Sequence, residues 1–153
     1  MLGKLFGIII GTSLSGFGGA IIGAAIGHLA DRRKKKNSIK AKQLSNEMYD
    51  RTAKMIALTA LLARMPEGND DEIIAYIIKT FDLNIADTEH LRYAITNMRK
   101  ESQTLEQTIL HLKQIFQKNT ALLNEIYALG YNYALNNITD AKVEYFAKIK
   151  KRL

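Results

Sequence analysis

Few side chains in this sequence could carry chemistry. Its 153 residues hold three histidines, His28, His90 and His111, and no cysteine. A zinc site needs three or four good ligands, often opened by a local pair such as H-x-x-x-H, and no such pair occurs. His90 and His111 fall on separate segments without an acidic residue at i±4. Gly16, Gly18 and Gly19 are not followed by the Gly-Lys-Ser/Thr of a phosphate loop. The densest carboxylate group is Asp70, Asp71 and Glu72. It reads either as a weak cation site or as the acid-rich first turn that a helix dipole favours, and the second reading is the simpler. Tyr127, Tyr131 and Tyr133 suit recognition, and aromatic packing accounts for them equally well. These residues predict no enzyme, no cofactor and no bound metal.

The elements around them are more informative. Leu5 to Ala30 reads LFGIIIGTSLSGFGGAIIGAAIGHLA, without one charged residue. As a helix it would extend about 39 Å, enough to cross a hydrocarbon core of about 30 Å with some tilt. Residues 1–30 are therefore expected to form a single transmembrane anchor. Gly3, Gly7, Gly11, Ser15, Gly19, Gly23 and Gly27 recur at a spacing of four. On a helix they make one narrow strip against which a second helix can pack its backbone, so the anchor is expected to self-associate into a homo-oligomer. A cleavable signal peptide would be richer in leucine, with a more basic start and no dense basic cluster behind it. His28 is expected at the inner interface.

Arg32, Arg33, Lys34, Lys35 and Lys36 follow at once, within a basic connector spanning 31–44. Residues 1–42 carry eight basic side chains against the single acid Asp31, while 43–153 are balanced in sign. The net charge of +7 therefore belongs to the anchor and its flank. A nucleic-acid-binding domain would carry its surplus on the folded part, so no nucleic acid is expected. The flank suits anionic lipid, and the positive-inside rule leaves residues 31–153 in the cytoplasm with the N-terminus outside. The expected location is the cell inner membrane, crossed once.

Residues 45–153 repeat apolar side chains at threes and fours, with no alternation of the strand kind. A long helix over 45–65 is apolar nearly all round in its last turns, and Pro66-Glu67-Gly68-Asn69 ends it. Asn69 is expected to cap Asp70–Phe81, with Glu72 closing a capping box. Asp87 should cap the helix TEHLRYAITNMRK, and Thr104 with Gln107 should box the start of TLEQTILHLKQIF. A buried helix over 119–136 follows. Thr139 should cap the last helix, with Val143, Phe146, Ile149 and Leu153 inward. The fold class is all-α, a bundle of about six helices.

Two turns carry a family resemblance. ALLARM is followed by PEGNDDEIIAYIIKTF, and IYALGYNYAL by NNITDAKVEYFAKIKKRL. Each reads as buried helix, tight turn, polar cap and amphipathic helix. This resembles the TerB-like domain of tellurite-resistance proteins, built of two such halves. The order of glycine-rich anchor, basic flank and TerB-like domain also looks like membrane-anchored DnaJ-like co-chaperones of the DjlA type. The anchor, the charge split and the absence of catalytic groups lead to the expectation of a self-associating adaptor for cytoplasmic proteins, and the resemblance implies a co-chaperone or envelope-stress setting with an Hsp70 system as partner. Its alternative implication is a metal- or oxyanion-responsive domain. That family often has Asp-Gly in both turns, where this chain has Glu67-Gly68 and Asn136-Asn137, so no metal site is carried over. A J domain needs a His-Pro-Asp tripeptide, and Pro66 is the only proline here. The chain is then a stand-alone protein or the anchor and middle domain of a longer one.

Overall fold

The computed structural model describes residues 39–116 and 119–153. Six α-helices account for most of them: α1 (Ile39–Ala63), α2 (Asp70–Thr80), α3 (Thr88–Lys100), α4 (Leu105–Phe116), α5 (Thr120–Leu135) and α6 (Asp140–Arg152). No strand occurs among the described residues, and the all-α expectation holds. No described helix is long and apolar enough to cross a membrane. The expected anchor, with its glycine strip, His28 and basic flank, lies outside the described residues. So do the side chains of Met48 and Ile115.

Helix α1 is described from Ile39 and is already helical six residues before the expected start. Ile-Lys-Ala-Lys-Gln-Leu contains no glycine or proline and consists mostly of good helix formers, so a basic composition alone does not break the helix. The C-terminal part of α1, from Met55 to Ala63, is buried on every side. It touches α2, α3, α4 and α5. Arg64 N–H to Leu61 O and Met65 N–H to Leu62 O tighten its last turn ahead of Pro66.

The turn that follows divides its work between two residues. Glu67 takes the left-handed conformation at φ 56°. Gly68 provides closeness instead. A Cβ there would meet Ile73 Cδ1 at 3.2 Å and Met65 O at 3.3 Å, and Arg99 donates to Gly68 O at 3.0 Å.

The capping side chains expected at Asn69, Thr104 with Gln107, and Thr139 are found, Asn119 adds a cap, and the expectations for Asp87 and Glu72 fail. Asn69 Oδ1 accepts from Asp71 and Glu72 N–H, and Asn119 Oδ1 from Leu122 N–H. Thr104 and Gln107 exchange the two bonds of a capping box, at 2.9 and 3.2 Å. Thr139 Oγ1 accepts from Lys142 N–H. Asp87, however, does not cap α3. A 3₁₀ turn over Ile85–Asp87 runs straight into that helix, and Asp87 Oδ2 accepts from Asn84 N–H, closing the turn. Glu72 faces the Tyr133 hydroxyl instead of reaching back to Asn69.

On α6 the inward stripe is Lys142, Tyr145, Phe146 and Ile149, and Val143 is 47% exposed. At 100° per residue Val143 falls about 60° off the Phe146 direction, and Tyr145 occupies the inward position. Leu129 on the buried helix α5 is only half-buried.

Helices α1 and α5 run side by side in the same direction. Lys54 meets Glu125, and one turn later Leu58 lies beside Gly130. Gly130 is also where α6 crosses. A Cβ on Gly130 would stand 2.9 Å from Phe146 Cε1, and Phe146 is fully buried. Gly130→Ala should therefore lower stability by about 1–2 kcal/mol, overpacking outweighing the gain of up to about 1 kcal/mol in helix propensity. A urea midpoint equal to or above that of the parent protein would contradict this packing.

Candidate interaction surface

The acids Asp70, Asp71 and Glu72 form the first turn of α2 and are drawn to different partners. Asp70 pairs with Arg99 at 2.6 Å and Asp71 with Arg92 at 2.8 Å, both arginines coming from α3. Glu72 turns to Tyr133 of α5. Among the described residues no group of three or more His, Asp or Glu is placed to hold a metal ion. The geometry joins helices through these carboxylates.

The histidines are also apart. His90 stands on α3 and His111 on α4, each half-buried with its Nδ1 shielded and without a hydrogen-bond partner in the structure. Neither ring is oriented by a carboxylate there, as a general base would be.

The tyrosines divide into two sets. Tyr76 donates to Leu129 O and Tyr145 to Leu61 O, each at 2.7 Å, fixing α2 against α5 and α6 against α1. Tyr133 packs on Tyr76 with ring centroids 5.1 Å apart. Burial first, then the nearby Glu72 charge, pushes the Tyr133 hydroxyl up to about 12. Burial also raises Tyr145, against an opposing effect of Arg64. These are structural phenols. Tyr127 and Tyr131 differ, stacking nearly parallel at 6.0 Å and resting edge-on against Phe146. Tyr131 is exposed, as are Leu135, Ile138 and Val143 nearby in sequence. The end of α5 and the start of α6 thus present aromatic and aliphatic surface to solvent.

An open cleft of about 440 Å³ lies where α1, the end of α2 and α5 meet. Asp50, Arg51, Lys54, Phe81 and Glu125 are among its walls. Its two cations are engaged. Lys54 pairs with Glu125 at 2.7 Å, and Arg51 donates to Phe81 O. This leaves it poorly suited to hold an anion.

One polar cluster was not foreseen from the sequence. Arg64, just past α1, pairs with Glu101 at 3.0 Å, where α3 ends. It also donates to Ala60 O and reaches Gln103 Oε1. Both side chains are largely buried, 8% and 17% exposed. Nothing in the residues next to Arg64 marks it out, and only the distant contact reveals its role.

Residues 1–43 match the family model of the co-chaperone DjlA transmembrane domain. The chain carries a DjlA-like membrane domain at its N-terminus. The match points to a membrane-anchored protein. No curated protein and no solved structure matches it. The matched segment overlaps the first five residues of α1, so the DjlA-like domain passes into the helical body without an intervening loop.

The ion pairs of this surface should separate by burial. Arg64→Ala strands a shielded Glu101 carboxylate and should cost about 3 kcal/mol. Asp71→Asn, at an exposed pair, should leave the urea midpoint unchanged within error. Equal effects from the two substitutions would contradict the burial argument.

Proposed function

We propose that this protein is a non-enzymatic adaptor, held in the cell inner membrane by its DjlA-like domain and offering a TerB-like helical body to cytoplasmic proteins. The observation that carries the reading is the DjlA transmembrane match over residues 1–43, running directly into α1. Arg32 to Lys36 lie within the match, and their charge favours the cytoplasmic side for everything after them.

The TerB-like reading draws on two helix–turn–helix units, α1–α2 and α5–α6, whose first helices lie side by side. Each second helix opens on a capping side chain, Asn69 in one and Thr139 in the other. Self-association through Gly3, Gly7, Gly11, Ser15, Gly19, Gly23 and Gly27 belongs to the same proposal. An Hsp70 system is the partner that a DjlA-related anchor favours. The spread of the histidines and the pairing of the acids favour a binding role over a catalytic one.

The test is affinity purification from mild-detergent membranes, comparing the full chain with a version lacking residues 1–42. Recovery of an Hsp70 or a J-domain protein with both versions is the expected result, and it assigns the contact to the helical body. Recovery of membrane proteins alone, lost with the anchor, would overturn the adaptor reading.

A further inference from the structure

Helix α5 differs from its neighbours in what it shows to solvent. Ala121, Asn124, Ala128, Asn132 and Leu135 lie exposed along one line, with Tyr131 beside it. At 100° per residue they occupy one arc centred on Ala128, opposite the buried Leu123, Ile126 and Tyr133. The only charged residue of α5 is Glu125, and Lys54 of the same chain pairs with it at 2.7 Å. Other described helices expose several charges, such as Asp71 and Lys79 on α2, Arg99 and Lys100 on α3, and Glu144 and Lys148 on α6.

The direction of α5 says what such a face suits. It runs with α1, and α1 leaves the DjlA-like membrane domain. Two copies anchored in one membrane with one orientation are related by a twofold axis along the membrane normal. A side-facing helix that runs with α1 then meets its copy in parallel, and each residue near the axis faces its own counterpart. A charged face would confront its own sign there, whereas an uncharged one does not. Ala121 and Ala128 leave room for axes about 8–10 Å apart, and Tyr131 and Leu135 supply apolar contact. One helix face about 24 Å long and about 10 Å wide covers about 240 Å², small beside the roughly 800 Å² per partner of a stable interface. Confinement to a shared membrane makes up the difference by raising the local concentration.

We propose that α5 is a homotypic docking face, pairing in parallel with α5 of a second copy of this chain in the same membrane. The inference rests on the anchored reading above but not on the glycine strip, which is a separate contact.

Because the sequence has no cysteine, a single introduced one reports cleanly. The full chain bearing Ala128→Cys is expressed, its membranes are isolated and oxidised, and disulfide-linked dimer is measured. Ser102→Cys, exposed at the end of α3, is the control. The expected result is at least ten-fold more dimer from Ala128→Cys than from Ser102→Cys. Adding Leu135→Arg, an exposed substitution that leaves the core intact, should remove most of it. Equal yields at the two sites, or no response to Leu135→Arg, would overturn the proposal. So would an Ala128→Cys adduct with a different protein in place of the dimer. Ser15→Cys reports the anchor independently. Dimer at Ala128→Cys but not at Ser15→Cys supports the α5 face and rejects the strip, and the reverse rejects the α5 face.

Discussion

The body depends on one stretch, Met55 to Ala63, which is buried on all sides. A helix apolar all round cannot lie at a surface, so the other helices must enclose it. Each of them then needs only one apolar stripe. Ile73, Ile74 and Ile77 supply it on α2, Leu91, Ile95 and Met98 on α3, and Ile109 and Leu112 on α4. Full burial is worth roughly 1.5–3 kcal/mol for each large aliphatic side chain, so Leu58, Leu61 and Leu62 make this the main source of cohesion. The one polar residue inside the stretch, Thr59, costs little because its hydroxyl donates to Met55 O at 2.7 Å.

Enclosing a buried helix raises a second demand, since its terminal carbonyls lose both water and helical partners. Long side chains from other elements meet it. At the end of α1, Arg64 donates to Ala60 O and Tyr145 to Leu61 O. Arg51 donates to Phe81 O beyond α2, and Lys142, itself buried, to Asn137 O beyond α5. Three of these four donors are cations, which also suits the negative end of a helix dipole. Glycine caps are not used at these ends, and the phenols and cations that replace them tie separate helices together. The same bonds that satisfy the backbone therefore set how the helices cross.

This division explains what could be read from the sequence. Helical period, the break at Pro66 and the caps at Asn69, Thr104 and Thr139 are local, and residues within four positions decide them. Contacts between distant segments leave no such signal. Arg64 and Glu101 are far apart in sequence, and neither is unusual in its own neighbourhood. Tyr145 displaced Val143 from the inward stripe because a phenol can fill the core and also reach Leu61 O, whereas hydrophobicity alone ranked valine higher. The acids of α2 were legible as a helix start, but their division among Arg99, Arg92 and Tyr133 required the fold. The family match to residues 1–43 agrees with what composition suggested of the N-terminus, where an uncharged run and a basic cluster need no tertiary context to be recognised.

The junction of anchor and body has a mechanical consequence. The matched membrane domain ends at residue 43, while α1 runs from Ile39 to Ala63. Ala53 is the first residue of α1 described as buried, about 15 Å of helix beyond the match. A glycine- or serine-rich linker of the same ten residues would let the body tumble freely. A continuous helix from Ile39 to Ala63 instead holds the end of the matched segment rigidly to the core. Mixed charge on most described helices leaves the surplus of basic residues to the N-terminal segment, a composition that suits anionic headgroups. The uncharged side of α5 stands apart from that pattern, and under the proposal above it is the face that a second anchored copy would meet.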